Sequence, residues 1–390
     1  SIQVIFDIHR IVFEIIFIGF IYMVLIKTQR DSLLAPLQSV SGIVEKKHTL
    51  PILSNVLLEK HGDRLTLLAT DIEIQITTST QVSAGDGDGA VTVGARKLQE
   101  ILRSLPESTE ITLNLEDKRL QVKGGKSRFN LQTLPAEDFP SIAPATGNTI
   151  SFSLEQKALR QLLSLVQYAM AHQDIRYYLN GLCIVTEGQE LRLVATDGHR
   201  LAFASLELAS PVERSEIILP RKTVLELYKL LDDSDKPIQV DISQNQVRFA
   251  FGDVLLVSKV VDGKFPDYNR VIPLNNTKLL TIDRVQLQQA LQRAAILSNE
   301  KFRGVRVVLM NGLFRIICSN SEQEEAQEEL EVDYQGEALD VGFNITYLLD
   351  VLNNVANESV NFAFGDANSS ALATLPGNDR FKYVVMPMRI

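Results

Sequence analysis

The sequence contains no tryptophan and only two cysteines among its 390 residues. The missing tryptophan excludes nothing. Cys183 and Cys318 lie far apart, each within an apolar run, so we expect two buried free thiols in a reducing cytosol. The sequence also lacks any CxxC or Cys/His spacing of the kind that binds zinc. We therefore predict no metal site and no cofactor.

The usual signatures of catalysis are missing as well. The sequence has no GxSxG nucleophile elbow, no phosphate-binding loop and no dinucleotide fingerprint. His199 lies close to Asp197 in ATDGHR, but Asp71 repeats the aspartate without a histidine, which favours a structural turn over a catalytic pair. The GDGDG segment at 85–89 resembles half of a calcium loop but lacks the final glutamate, so we interpret it as a hairpin turn. We predict no catalytic residue.

Positive charge is scarce for a nucleic-acid-binding protein. The net charge is −9, and contacts with phosphates are made mainly by lysine and arginine. The length and the 45% hydrophobic content suit a soluble globular protein of two or three domains, each with its own core.

Residues 1–23 differ from the rest of the chain. They are mostly apolar, but Asp7, Arg10 and Glu14 interrupt the run. A signal peptide would place its charge first and end in small residues. A membrane helix needs about 20 apolar residues with few charges. We interpret the segment as an extension outside the fold, such as a misplaced start codon would add, with a membrane anchor as the alternative.

Three features recur in the same order with a period of about 125 residues. A short apolar strand runs into an amphipathic helix, with leucines at matching places: Leu33, Leu159 and Leu287. A strand then ends in a small residue followed by a polar pair, at 65–71, 191–197 and 314–320. A second amphipathic helix and alternating strands follow, beginning at 95, 220 and 343.

These repeats predict an α+β fold of three similar domains. Each is expected to hold two helices packed on mostly antiparallel sheets, with about eight short strands. The boundaries are expected in polar, turn-rich stretches near Gly147 and Asn275. The predicted domains are therefore 24–147, 148–276 and 277–390.

Seven strings carry a resemblance to a known family: TLPILSN (49–55), AHQDIRYYLNG (171–181), VATDGHRLA (194–202), KFPDYNRV (264–271), AAILSNEKFRGVR (294–306), SEQEEAQEEL (321–330) and YVVMPMRI (383–390). Over residues 24–390 the chain resembles the bacterial beta sliding clamp, the beta subunit of DNA polymerase III. The resemblance implies a non-catalytic processivity factor. It implies a head-to-tail homodimer that forms a ring, with helices lining the hole, around duplex DNA of any sequence.

The resemblance also implies partners and a location. Polymerase III alpha subunit, an ATP-driven clamp loader, and other polymerases and repair proteins are the expected partners, with no membrane. The expected location is the bacterial cytoplasm, in association with the nucleoid.

A ring holds DNA by topology, so it needs only a weakly positive lining. The six predicted helices contain 11 basic and 7 acidic residues, a sum of +4, which leaves −13 for the rest of the chain. Screening over about 8 Å would confine the attraction to DNA already inside the ring. The resemblance, with these helices, assigns DNA contacts to Lys47, Arg96, Gln173, Arg176, Tyr177, Tyr178, Arg221 and Lys222. Because adjacent strand residues face opposite ways, we expect one of the two tyrosines in the core.

A second site is implied between the second and third domains, where client proteins insert a short peptide with leucine or phenylalanine anchors. The matching residues are Leu179, Thr196, Gly198, His199, Arg200, Leu201, Pro266, Arg270, Val271, Val384, Met386, Pro387 and Met388. Val, Leu and Met side chains make an adaptable apolar slot. We expect Arg200 and Arg270 to offer charge-assisted hydrogen bonds at its rim.

A third site would close the ring, and a head-to-tail contact needs two different matching surfaces. The resemblance assigns one surface to Lys97, Lys126, Arg128, Phe129 and Leu131. It assigns the other to Ile296, Leu297, Glu322, Glu324 and Glu325. One surface is basic and the other acidic, so charge can align them.

Two other interpretations stay open at this point. One is a ligand-binding or hydrolytic enzyme of repeated α+β domains with a cleft near 196–201, which turnover requiring His199 would favour. The other is a clamp paralogue that has lost its partners, against which the intact pocket residues argue.

Overall fold

A computed structural model describes residues 23–46, 48–83 and 85–390 of the chain. The interpretation of residues 1–22 and the assignment of Lys47 lie outside the described residues. Met23 begins the first strand and pairs with Leu115, so the extension was predicted one residue too long. None of the helices in this described part is long and apolar enough to cross a membrane.

The helices and strands follow the order of the three sequence repeats. The first repeat contains β1 (Met23–Gln29), α1 (Arg30–Ser41), β2 (Asn55–His61), β3 (Arg64–Thr70), β4 (Ile74–Gln81), β5 (Gly89–Gly94), α2 (Ala95–Ser104), β6 (Glu110–Glu116), β7 (Arg119–Gly124) and β8 (Ser127–Leu134). The second contains β9 (Ile150–Glu155), α3 (Gln156–Val166), β10 (Gly181–Thr196), β11 (Arg200–Pro220), α4 (Arg221–Leu230), β12 (Pro237–Ile242), β13 (Gln246–Phe251) and β14 (Val254–Lys259). The third contains β15 (Lys278–Asp283), α5 (Arg284–Ala295), β16 (Gly304–Met310), β17 (Leu313–Ser319), β18 (Glu325–Glu331), β19 (Leu339–Asn344), α6 (Ile345–Asn354), β20 (Ser359–Phe364), β21 (Ala371–Leu375) and β22 (Asn378–Val385).

The strand register repeats with the sequence. In each repeat the first residue of one strand pairs with the last residue of another: Asn55 with Gly94, Gly181 with Pro220, and Gly304 with Asn344. The second repeat has fewer and longer strands than predicted, because β10 covers the positions of β2 and β3, and β11 those of β4 and β5. The α+β class with three similar domains is confirmed.

The two helices of each repeat are tied together in the same way. The backbone N–H of the first residue of the first helix donates to a carbonyl beyond the second helix. The three bonds are Arg30 to Thr109 at 2.7 Å, Gln156 to Lys236 at 2.9 Å, and Arg284 to Glu358 at 2.9 Å. The matching leucines Leu33, Leu159 and Leu287 are buried at 0%, 4% and 2% exposure, which stabilises each pair by about 2 kcal/mol per side chain. Pro36 lies inside α1.

The GDGDG segment is not a hairpin turn, so that prediction is wrong. β4 and β5, which flank it, are separated in the sheet by β2 and β3. The segment is a connection that hydrogen-bonds to groups at the end of β2 and just beyond it. The buried Lys60 Nζ donates to the carbonyl of Gly87 at 3.0 Å, and the Gly62 N–H donates to Asp88 at 2.8 Å. Within the described residues no cluster of His, Cys, Asp and Glu is placed to hold a metal.

By its internal contacts the described chain divides into two compact units. The first contains the described residues up to Thr149 together with Ile238–Lys259. Its sheet runs in the order β1-β6-β7-β8-β5-β2-β3-β4-β14-β13-β12. Antiparallel pairing of β14 with β4, for example Leu256 with Ile76, attaches the last strands of the second repeat to the sheet of the first.

The second compact unit contains Ile150–Pro237 and Val260–Ile390. One of its sheets has the order β10-β11-β22-β21-β20-β15, and another has the order β18-β17-β16-β19. In the first of these sheets β11 of the second repeat pairs antiparallel with β22 of the third, Leu201 opposite Val384. This shared sheet brings the two repeats together at the site described next.

Candidate binding site

A tight turn between β10 and β11 forms one edge of the site. The Asp197 carboxylate accepts hydrogen bonds from the N–H groups of His199 at 2.9 Å and Arg200 at 3.1 Å. The Thr196 hydroxyl donates to the carbonyl of Arg200 at 2.6 Å. Because the Asp197 carboxylate is committed to the backbone and to the Arg200 side chain, it does not form a catalytic pair with the His199 ring.

The first repeat contains the same turn. The Asp71 carboxylate accepts from the N–H groups of Glu73 at 3.0 Å and Ile74 at 2.7 Å, and the Thr70 hydroxyl donates to the carbonyl of Ile74 at 2.8 Å. The interpretation of the ATD strings as structural turns is therefore confirmed.

The turn opens onto a cavity of about 410 Å³ within the second compact unit. Ten residues predicted for the peptide site line it: Leu179, Thr196, Gly198, His199, Arg200, Leu201, Pro266, Val271, Val384 and Met386. They come from the segment before β10, from β10, β11 and the turn between them, from the segment before β15, and from the end of β22 and the residue after it. The backbone N–H of Met386 donates to the carbonyl of His199 at 3.0 Å, which joins the contributions of the two repeats.

The floor of the cavity is a buried apolar cluster. Its members include Leu201 at 1% exposure, Val384 at 0% and Phe265 at 3%, and Tyr178 packs against them. Val271 and Met386 are 42% and 47% exposed, so the upper wall presents apolar surface to solvent. A rigid apolar floor with exposed aliphatic walls suits an apolar side chain supplied by another molecule.

Three predicted residues do not line this cavity. The Arg270 side chain is 87% exposed and pairs with Asp267 at 3.1 Å. Pro387 lies on the same terminal segment but outside the lining. Met388 donates its N–H to the carbonyl of Gly342 at 2.9 Å and lines a second cavity, of about 600 Å³, with Phe302 and Ile390.

Arg200 is buried and forms more ion pairs and hydrogen bonds within the chain than the sequence predicted. Its side chain is only 9% exposed, and its guanidinium forms ion pairs with Asp197 and Asp350. It also donates to the carbonyl of Tyr168 at 2.8 Å. Burial alone would lower the pKa of this guanidinium, but Tyr383 and Asp350 more than offset it and the pKa is raised. These partners take up most of its N–H donors, so a hydrogen bond from Arg200 to a peptide at the rim stays a prediction.

Three residues that line the cavity were missed for this site: Arg176, Tyr178 and Ser370. Arg176 and Tyr178 had been assigned to DNA, although their string AHQDIRYYLNG runs directly into Leu179, which was a usable signal. We expected one of the two tyrosines in the core because adjacent residues of a strand face opposite ways. Tyr177–Leu179 form a 3₁₀ helix and not a strand, so the basis of that expectation is wrong. Tyr177 is 58% exposed while Tyr178 packs on the cluster. No sequence signal points to Ser370.

Arg176 lies across the turn. Its guanidinium binds the Asp174 carboxylate at 3.0 and 2.8 Å and donates to the carbonyl of Asp197 at 3.3 Å. Hydrogen bonds from Arg176 lower the pKa of Asp174 to about 2. A Cβ atom on Gly198 would lie 3.0 Å from a guanidinium nitrogen of Arg176, so glycine lets this side chain approach.

Comparison with known proteins gives the same family across the whole described chain. Models of the N-terminal, central and C-terminal domains of the DNA polymerase III beta subunit match residues 24–143, 153–267 and 269–389. The beta sliding clamp of Pseudomonas aeruginosa is 48% identical over 363 residues, 93% of this chain and 99% of that protein. The beta sliding clamp of Escherichia coli K12 is 46% identical over 362 residues, again 93% and 99%.

The chain belongs to the DNA polymerase III beta subunit family. A crystal structure of a Pseudomonas aeruginosa sliding clamp bound to griselimycin has a TM-score of 0.90 and 48% identity, and it covers 94% of this chain and 100% of that one. As a sliding clamp the chain is a processivity factor, a non-catalytic subunit of the polymerase holoenzyme. The family assignment therefore excludes the hydrolytic alternative at 196–201.

The DNA contacts predicted for this clamp differ in their surroundings. Arg96, Gln173 and Tyr177 are exposed. Lys222 is half-buried at the start of α4. Arg221 is half-buried too, and its guanidinium donates to the carbonyls of Met170 at 3.3 Å and Ala171 at 3.5 Å. Burial lowers the pKa of Arg221. Its guanidinium supports the chain before Leu179, which the assignment to DNA alone did not anticipate.

Several basic side chains of the helices that were predicted to line the hole already have partners within the subunit. They are Arg30 with Asp31 and the carbonyl of Leu102, Lys157 with Glu155 and Asp235, Lys229 with Glu226, Arg284 with the carbonyls of Leu352 and Asn357, and Arg293 with Glu328. Arg30 binds the carbonyl of Leu102 and Arg284 that of Leu352, each in the last turn of the neighbouring helix, a favourable place for a cation.

The residues predicted to close the ring lie at two strand edges. Lys126 precedes β8, which carries Arg128, Phe129 and Leu131, and Lys97 lies on α2. β8 pairs with β7 along its length, but within the described residues it pairs with β5 only through Thr133 and Leu134. On the other surface, Glu322 and Glu324 precede β18, Glu325 begins it, and β18 ends its sheet. Ile296 is 78% exposed and Leu297 is half-buried just after α5.

Proposed function

We propose that this clamp subunit forms a closed ring as a head-to-tail dimer, encircles duplex DNA of any sequence, and tethers polymerases and repair proteins through the 410 Å³ cavity. The cavity is the observation that carries the proposal. It combines a buried apolar floor with exposed aliphatic walls, and it lies where the second and third repeats share a sheet.

The occupant we propose is a short client peptide with one or two leucine or phenylalanine anchors. Each anchor buried on the cluster around Leu201 and Val384 contributes roughly 2 kcal/mol. Two such anchors give a modest affinity, as the exchange of partners requires. Arg270 and Pro387, which lie outside the lining, are proposed to contact the flanking parts of the peptide. Met388 does so from the second cavity.

We propose that DNA is held topologically, with weak contacts from Arg96, Gln173, Tyr177 and Lys222, and from Lys47. Several lysine and arginine side chains of the helices already have partners within the subunit. This supports weak contacts, because a side chain that is already paired gains less binding free energy from a phosphate. Arg176, Tyr178 and Arg221 are proposed to shape the loop that presents Gln173 and Tyr177. We retain them as secondary DNA contacts.

Ring closure is proposed to join the basic edge of β8 to the acidic edge of β18 in the next subunit. Both edges have unpaired backbone groups toward one side within the described residues, which favours strand-to-strand association. The charges match: Lys126 and Arg128 on one edge, Glu322, Glu324 and Glu325 on the other. Phe129, Leu131, Ile296 and Leu297 supply apolar area, and Lys97 adds charge from α2.

The remaining parts of the proposal rest on family membership. They are domains at 24–147, 148–276 and 277–390, the polymerase III alpha subunit and an ATP-driven loader as partners, and a bacterial cytoplasmic location at the nucleoid.

The ring is tested by mass and by topology. Light scattering on the full chain should give the mass of a dimer. After loading, the protein should stay on circular DNA and be lost from the same DNA once it is linearised. A monomer, or equal retention on both forms, would contradict the closed ring.

Charge reversal tests the proposed interface. Arg128→Glu should shift the protein toward monomer, and adding Glu325→Arg to that variant should restore the dimer because the attraction is re-formed with opposite signs. Arg248→Glu is the matched control, since Arg248 is an exposed arginine on β13, which has strands on both sides. If Arg128→Glu and Arg248→Glu leave the same dimer fraction, the β8 edge is not the interface.

A further inference from the structure

The Arg200 guanidinium is shared between the second and third repeats. In the second repeat it donates to the Asp197 carboxylate, at 3.3 Å from Nε, and to the carbonyl of Tyr168, at 2.8 Å from Nη2. In the third repeat it donates to the Asp350 carboxylate through Nη1. The planar guanidinium therefore has a hydrogen-bond acceptor at each of its three nitrogens, which fixes the direction of the side chain.

Asp350 belongs to α6, and it is not among the residues that line the peptide cavity. The same helix presents Tyr347, whose ring centroid lies 4.4 Å from the Arg200 guanidinium carbon. The Tyr383 hydroxyl donates to the carbonyl of Tyr347 at 2.8 Å and lies 3.4 Å from Nη1 of Arg200. α6 therefore supplies both a charge and an aromatic face to a side chain of the cavity wall.

We propose that Asp350 is a positioning residue for the peptide cavity: it holds the Arg200 guanidinium against α6 and so keeps that side chain out of the space a client anchor occupies. The inference rests on the proposed peptide-binding function. Without Asp350 a guanidinium that is 9% exposed loses one of its two carboxylates. A buried charge that is only partly paired is costly, so the flexible arginine turns toward solvent through the cavity.

The test is binding of a labelled synthetic peptide with one leucine and one phenylalanine anchor, followed by fluorescence anisotropy on the full-length dimer. Asp350→Asn keeps the shape of the side chain and removes its charge. We expect it to weaken binding about tenfold, which corresponds to about 1.4 kcal/mol. Asp350→Glu restores the charge one methylene further out and should recover most of the affinity.

A second background shows whether Asp350 acts through Arg200. In Arg200→Gln, the Asp350→Asn change should have no further effect on affinity, because the group it positions is gone. A merely structural role of Asp350 would weaken binding equally in both backgrounds. Asp31→Asn is the matched control: it also breaks an aspartate–arginine pair, with the largely buried Arg30, but neither residue lines the peptide cavity or the second cavity that contains Met388, and binding should stay unchanged.

The outcomes distinguish the function of the cavity from the role of Asp350. If the unmodified protein does not bind the peptide, the proposed function of the cavity fails, and the role of Asp350 with it. If it binds and Asp350→Asn binds equally well, only the positioning role is overturned. Equal losses with Asp350→Asn and Asp350→Glu, or an undiminished loss in Arg200→Gln, also overturn it.

Discussion

Ile72 and Gly198 occupy the same place in two copies of one turn, and both have a left-handed backbone, with φ of 81° and 91°. Glycine adopts this conformation without steric cost, whereas a β-branched residue there is a clear outlier. The first repeat therefore carries strain at a turn where the second repeat has glycine.

Replacing Ile72 should relieve that strain. Ile72→Gly is expected to raise the free energy of unfolding by about 1 kcal/mol, because the side chain, already 37% exposed, gives up little burial. Denaturant unfolding followed by circular dichroism measures the change. Ile175→Gly is the control, since Ile175 is 96% exposed and has no left-handed backbone. A loss of stability in Ile72→Gly as large as in this control would contradict the strain.

Gly198→Ala should be destabilising for two reasons. The new Cβ would lie 3.0 and 3.1 Å from the two terminal nitrogens of Arg176, at a φ of 91°. Gly188→Ala separates the two effects, because Gly188 has a φ of 59° and open space around its Cβ position. We expect a loss of about 1 kcal/mol for Gly188→Ala and about 2 kcal/mol for Gly198→Ala. Equal losses in thermal or denaturant unfolding would mean that Arg176 moves away at no cost.

Replacement of Tyr168 and of Tyr383 by phenylalanine should have opposite effects on the free energy of unfolding. The Tyr168 hydroxyl is buried and has no hydrogen-bond partner among the described residues, while the Tyr383 hydroxyl serves Tyr347 and Arg200. Tyr168→Phe should be neutral or stabilising, and Tyr383→Phe should cost about 1–2 kcal/mol. The rings lie 5.6 Å apart, so each variant is the control of the other. A larger loss of unfolding free energy in Tyr168→Phe than in Tyr383→Phe would contradict the assignment.

The Asp174 carboxyl should titrate well below the ordinary aspartate range, since Arg176 lowers its pKa to about 2. Because the folded pKa is depressed, the stabilisation it brings is present above pH 3.8 and is lost as the pH falls through about 2. A carboxyl NMR titration measures the value directly. In Arg176→Gln the pKa of Asp174 should move upward. An unchanged pKa in that variant would mean that Arg176 is not its main cause.

Both thiols should be unreactive in the folded protein. Cys183 and Cys318 are free and buried, as the sequence predicted, and burial raises both pKa values, that of Cys318 to about 11. A thiol is attacked as its thiolate, so a thiol reagent at pH 8 should modify neither cysteine until the protein is unfolded. Reaction of one equivalent before unfolding would identify an opening at that cysteine.

Ten residues that line the cavity could be named from the sequence, because the strings that contain them resemble those of the beta sliding clamp family. The features that the sequence did not reveal share a physical cause. The engagement of Arg200 was not predicted, because a sequence does not reveal that Asp350 reaches it from 150 residues away. Arg176 and Tyr178 were not predicted to line the cavity, because the 3₁₀ helix at Tyr177–Leu179 turns adjacent side chains to different surroundings.

The sequence by itself determined the three repeats, their helices and the turns at Asp71 and Asp197, because apolar periodicity and turn chemistry act over a few residues. Only the tertiary structure decided that β14 pairs with β4, that GDGDG connects strands which are not neighbours, and that Arg200 is held by α6. Strand partners and buried ion pairs depend on which distant surfaces meet. The local pattern leaves that choice open, and the packing of the folded chain makes it.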